Sequence, residues 1–175
     1  MKYLVFTLLG LFIYSSSFSQ DMPVNEDTKL ITYSEVVKVE GTADALYKKA
    51  HKWFFSYYKN PNNVVKESAN NKIVARPRFK ILNPPDKKGI KTMGGVVLYT
   101  FTIFFKDGRY KYTITNIEWK QPSKYPIERW MDKSAPSYKE KYAHYLLQVD
   151  TEIKKTIASI QKSLAQGEKK PEEEW

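Results

Sequence analysis

The chain has 175 residues, enough for one domain with a real core; 42% of them are hydrophobic and 15% aromatic, which excludes a disordered chain. It has no cysteine, which rules out disulfides, thiolate catalysis, cysteine-based zinc sites and lipid attachment through an N-terminal Cys. A formal charge of +10 favours anionic surfaces without choosing among nucleic acid, lipid and acidic glycan.

Met1-Lys2 is followed by a short apolar run, Tyr3 to Tyr14, and by the small polar stretch Ser15 to Gln20. This is the three-part layout of a secretory signal, with Ser17 and Ser19 at the −3 and −1 positions of a cleavage site before Gln20. The run is short for a bilayer span, which takes about 20 residues, so residues 1–19 are expected to be removed. Loss of Lys2 then leaves +9 and no transmembrane segment. The chain is expected to be exported, to the periplasm or beyond.

Residues 20–29 read as a flexible lead-in. Leu30 to Glu40 reads as a first strand ended by Gly41. Thr42 then supplies an N-cap for a helix whose apolar stripe is Leu46, Ala50, Trp53, Phe54 and Tyr57, stopped by Asn60-Pro61-Asn62. A short strand at Val64 to Glu67 and a turn lead into a longer strand, Lys72 to Leu82. In it Ile73, Ala75, Phe79 and Ile81 alternate with Val74, Arg76, Arg78 and Lys80, and Pro77 marks a bulge or an edge.

After the loop Asn83 to Gly89 and a kink at Gly94-Gly95 comes the stretch from Val96 to Trp119, two strand-forming runs joined by Asp107-Gly108. Counting back from that turn puts Phe105 opposite Tyr110, Ile103 opposite Tyr112 and Phe101 opposite Ile114 on one face. The other face pairs Phe104 with Lys111, Thr102 with Thr113, Thr100 with Thr115 and Leu98 with Ile117. One face is greasy and the other is a threonine ladder, so the register is specified by burial. Lys120 to Pro136 is a Pro-punctuated segment whose Tyr125, Ile127, Trp130 and Met131 are expected to pack across the domain. Ser137 to Glu140 reads as a capping box opening a long helix with Tyr142, Leu146, Val149, Ile153, Ile157, Ile160 and Leu164. Residues 30–166 thus form one domain, and 167–175 an acidic, disordered tail.

Two amphipathic helices and a sheet with one apolar face have a simple solution, in which both helices cover that face. The expected fold is α+β: an antiparallel five-stranded curved sheet in the order β-α-β-β-β-β-α, its second face open to solvent.

The phrases LITYSEVVKVEG, LYKKAHKWF and KDGRYKYTITNI, with the closing helix, resemble a family of secreted bacterial proteins known as domain of unknown function 4468, over roughly Leu30 to Leu164. The first-strand phrase and the turn Asp107-Gly108-Arg109-Tyr110 carry most of the likeness. The resemblance implies a fold like that of the TATA-binding protein, an open curved sheet backed by two helices. It implies no activity and no cofactor.

No catalytic constellation stands out. His51 and His144 lie apart on the two helices without metal-ligand spacing, and no glycine loop is placed to cradle phosphate. The strongest surface is the open face, where the alternation collects Arg76, Arg78, Lys80, Lys111 and Trp119 beside the threonines. Cations with an aromatic suit an anionic polymer; export points away from nucleic acid and toward an anionic glycan or an envelope protein. The reading is a non-enzymatic exported binding or structural module. The alternative is a small hydrolase using Glu128 and Asp132 in the 120–136 segment.

Overall fold

The computed structural model describes residues 22–69 and 71–166. The expected leader, its expected cleavage site and the tail expected at 167–175 lie outside the described residues. The elements are β1 (Tyr33–Lys38), α1 (Ala43–Tyr57), a single helical turn α2 (Pro61–Val64), β2 (Val65–Ala69), β3 (Lys72–Ala75), β4 (Arg78–Leu82), β5 (Met93–Lys106), β6 (Arg109–Gln121), β7 (Ser123–Pro126), a 3₁₀ turn (Ile127–Trp130) and α3 (Lys141–Ala165).

The sheet is antiparallel and has seven strands, two more than expected. Both additions have local causes. Pro77 lacks the N–H a ladder needs and divides the long 72–82 strand into β3 and β4, which pair with successive stretches of the same edge of β5. Part of the Pro-punctuated segment folds back as β7 against the end of β6, beyond the stretch that β1 occupies. The sheet therefore stays five strand positions wide.

The β5–β6 hairpin holds the predicted register from Phe105–Tyr110 to Thr100–Thr115. Beyond that point it shifts: Leu98 faces Glu118, not Ile117. The extra residue is Asn116, at φ 52°, a left-handed conformation that asparagine tolerates better than most side chains. The shift exchanges the faces of everything after it on β6, so Ile117 and Trp119 turn toward the helices.

Both helices cover the greasy face as expected. Thr42 caps α1 by accepting from the Ala45 N–H at 3.2 Å, and Asp107 in the hairpin turn accepts from the Ala43 N–H at 2.7 Å. The hairpin turn thus also satisfies an orphan donor at the start of α1. Leu46, Ala50, Trp53 and Phe54 of α1 and Tyr145, Val149, Ile153, Ile157, Ile160 and Leu164 of α3 join Phe101, Ile103, Phe105, Tyr112 and Ile114 in one core. The capping box does not form. Glu140 is already helical and makes no side-chain cap, and tight turns from Ala135, Lys139 and Glu140 lead into α3.

The lead-in is also tied down: Met22 is buried, Val24 bridges Ile31, and the Asn25 side chain accepts from the Asp27 and Thr28 N–H groups. Ile127 and Trp130 are buried as expected, while Tyr125 and Met131 are exposed. Asp150 is buried on α3, accepting from the Tyr33 hydroxyl at 2.8 Å and the Lys154 ammonium at 2.8 Å, which is how a buried carboxylate is kept satisfied.

Candidate functional site

Two adjoining clefts lie at the break between β3 and β4, the smaller on the open face and the larger reaching from it to the end of α1. The larger, about 630 Å³, is lined by Tyr57, Tyr58 and Asn63 from the end of α1 and from α2, with Lys66, Arg76 and Arg78. The smaller, about 370 Å³, runs over the Asn116 bulge between Thr100, Glu118, Lys124 and Glu128. Arg76 and Leu98 line both, so the two form one groove. Pro77 interrupts the strand without leaving Tyr99 unpaired: its carbonyl accepts from the Tyr99 N–H at 3.3 Å, the preceding Arg76 N–H donates to the Val64 carbonyl at 2.8 Å, and the Arg76 side chain lines both clefts at the break.

Charge divides along the groove. In the smaller cleft Lys124 pairs with Glu118 at 3.5 Å. No carboxylate lines the larger one. Neither Arg76 nor Arg78 makes an ion pair among the described residues, and both are exposed. Two such guanidiniums, each able to hold an oxyanion through two parallel N–H bonds, have the chemistry to take carboxylate, sulfate or phosphate groups. The floor is rigid. Tyr58 and Tyr99 share a hydroxyl contact of 3.3 Å. Burial, more than this contact, raises the Tyr58 hydroxyl, and burial pushes Tyr99 up to about 12. Both stay neutral and serve as structure.

Of the five expected binding residues, only Arg76 and Arg78 come together. Lys80 sits at the sheet edge beside Gln148 and Thr151 of α3. Lys111 is on the open face at the far end of the hairpin, opposite Phe104 and Val36. Leu98 and Phe104 are six residues apart, about 20 Å of strand. Trp119 corrects the expectation outright. The Asn116 bulge puts it on the helix face, where its indole N–H donates to the Gly94 carbonyl at 3.0 Å and its ring meets Trp130 at 5.5 Å.

Glu128 and Asp132 do not face one another across a site. Glu128 accepts from the Ile31 N–H at 2.9 Å and anchors the chain ahead of β1. Asp132 is exposed and accepts from the hydroxyl and N–H of Ser134, which lowers its carboxyl below the ordinary range. The sequence reading missed the contributions of α2 and of the start of β2, Asn63 and Lys66 above all. The signal was present: Asn60-Pro61 followed by two asparagines is also a helix start, with Pro in the first turn.

The model of a family described as a domain of unknown function (DUF4468) with TBP-like fold matches residues 33–120, just over half of the chain. No curated protein matches it. Two crystal structures share the architecture. One is a DUF4468 family protein from Bacteroides ovatus ATCC 8483, with TM-score 0.64 and 15% identity over 85% of this chain and 94% of that one. The other is a TBP-like protein from Parabacteroides distasonis ATCC 8503, with TM-score 0.60 and 16% identity over 79% of this chain and 95% of that one. At such identities the likeness is one of fold, and it matches the antiparallel sheet and paired helices described above. The family match covers the sheet from β1 to Lys120, including the bulged hairpin that sets its two faces, and on that ground the chain belongs to the DUF4468 family and has its TBP-like fold.

Proposed function

We propose that this chain is an exported, non-enzymatic binding module of the cell envelope, gripping the acidic groups of a glycan or of a partner protein through the open face of its sheet. The observation that carries the reading is the Arg76–Arg78 pair: two unpaired guanidiniums in a groove whose larger cleft has no carboxylate in its walls. Arginine placed without a partner in the same chain is chemistry held ready for an external anion. The Tyr57 and Tyr58 rings and the Asn63 amide beside it suit the faces and hydroxyls of a sugar. Export rests on the leader layout of residues 1–19.

The test is titration of the chain from Gln20 onward with polygalacturonate and with a neutral polysaccharide of similar length. The reading expects salt-sensitive binding to the acidic polymer alone, weakened at least about tenfold by R76E/R78E. Binding unchanged by that double reversal would remove the groove from consideration.

A further inference from the structure

The far end of the open face differs from the groove. Three strands meet there in register. Lys38, Arg109 and Lys106 form one cross-strand row, and Val36, Lys111 and Phe104 form the next. All six point to the open face, because each position lies two residues from its neighbour on the same strand. Val36 is 54% and Phe104 48% exposed, and the four cations are exposed too.

Like charges directly opposite on paired strands destabilise a sheet, and here three stand side by side. No carboxylate lines this patch. Of the acidic residues next to it in sequence, Glu35 accepts from the Tyr112 hydroxyl on the core face and Asp107 caps α1, which leaves the exposed Glu40, two residues beyond Lys38. None of Lys38, Lys106, Arg109 and Lys111 makes an ion pair among the described residues. Lys72, itself paired with Glu67, stands 5.6 Å over the Phe104 ring.

We propose that this patch docks the protein on an anionic lipid surface, with Phe104 and Val36 entering the headgroup layer and Lys38, Lys106, Arg109 and Lys111 meeting the phosphates. Charge complementarity calls for a polyanion, and the apolar pair selects among polyanions. A soluble acidic polymer would satisfy the four cations and leave Phe104 and Val36 in water, whereas a bilayer interface accepts both kinds of group in one plane. No helix among the described residues is long and apolar enough to cross a membrane, so this is a peripheral contact. It would hold the arginine groove on the same sheet face close to the surface.

The experiment is co-sedimentation with vesicles of phosphatidylcholine alone and of phosphatidylcholine with phosphatidylglycerol. The protein is the chain from Gln20 onward, which contains the whole core described above. The expected result is binding to the anionic vesicles only. K106E/R109E should weaken it at least about tenfold and V36S/F104S about fivefold, with R76E/R78E weakening it clearly less than K106E/R109E. Circular dichroism of each variant checks that the fold is kept. Because the chain lacks cysteine, Phe104→Cys carries a single environment-sensitive dye, whose emission should shift to the blue on anionic vesicles. No binding to those vesicles, or no shift of the dye, overturns the proposal. Binding indifferent to V36S/F104S and fully competed by dextran sulfate assigns the patch to a soluble polyanion instead. Equal losses from R76E/R78E and K106E/R109E reduce the effect to overall charge. The groove is read separately by polygalacturonate, so either assignment can fail alone.

Discussion

Replacing Gly95 by alanine probes the inward turn of Trp119. Gly95 has φ 131°, where side chains are rarely found, and a methyl group built on it overlaps the Trp119 Nε1 and stands 3.0 Å from Cδ1. The indole has little room to retreat, because its N–H is held by the Gly94 carbonyl and its ring is packed against Trp130, Tyr142 and Tyr145. Three costs combine: about 1–3 kcal/mol for the backbone conformation, about 1–3 kcal/mol for the crowding, and about 1–3 kcal/mol if the indole N–H loses its acceptor. A total of about 3–9 kcal/mol is a large fraction of the roughly 5–15 kcal/mol of a typical domain. It corresponds to a fall in Tm on the order of 10 °C for a chain of this size. Gly108→Ala is the control. Gly108 also has positive φ, at 71°, but a methyl group there meets nothing within 4 Å, so only the backbone cost of about 1–2 kcal/mol applies. Urea denaturation of both variants, followed by circular dichroism, gives the difference directly. Equal losses in the two would refute the placement of Trp119, and with it the face exchange at Asn116.

Ile103→Asp puts a carboxylate in the fully buried centre of β5 and is expected to unfold the domain, since lost burial and desolvation together approach the whole stability. Thr113→Asp, on the half-buried ladder of the open face, should stay within about 1 kcal/mol of wild type; the same denaturation curves report both. Alkaline pH should destabilise the fold. Burial raises the hydroxyls of Tyr33, Tyr58 and Tyr112 and pushes Tyr99 and Tyr110 up to about 12. The folded state therefore keeps protons that the unfolded chain loses near pH 10. This contribution is complete below the unfolded pKa and is lost as pH rises through the folded values; the urea midpoint should hold to pH 9 and fall between about pH 10 and 12. Asp107→Ala removes the acceptor for the Ala43 N–H and should cost about 1 kcal/mol, seen as a lower Tm with the hairpin's cross-strand nuclear Overhauser contacts intact.

The parts of the fold that were legible beforehand are those where period and turn chemistry agree. Asp107-Gly108 sets the hairpin register, and burial of Phe101, Ile103 and Tyr112 enforces it over six residue pairs. The α1 stripe and its Thr42 cap are local signals, and they hold. Reading failed where one residue changes the phase. Alternation assigns Ile117 and Trp119 to the open face unless Asn116 is recognised as an extra residue, and its only mark is an asparagine inside an otherwise β-branched and aromatic run. Pro77 announced an interruption but not its product, a groove whose other wall comes from α2. The capping box at Ser137 matched its motif, yet the chain reaches α3 through tight turns, which depend on how the 3₁₀ turn before it packs. The site was half legible for the same reasons. Alternation placed Arg76 and Arg78 correctly on one face, while their separation from Lys111 depended on how far apart they sit along β5.

Backbone amide spectra of isotopically labelled protein, recorded during titration with polygalacturonate, bear most directly on the open face as the working surface. The account predicts shifts concentrated at Asn63, Lys66, Arg76, Arg78 and Leu98, with the solvent sides of α1 and α3 unmoved. Shifts confined to those helices, or none at saturating polymer, would contradict it.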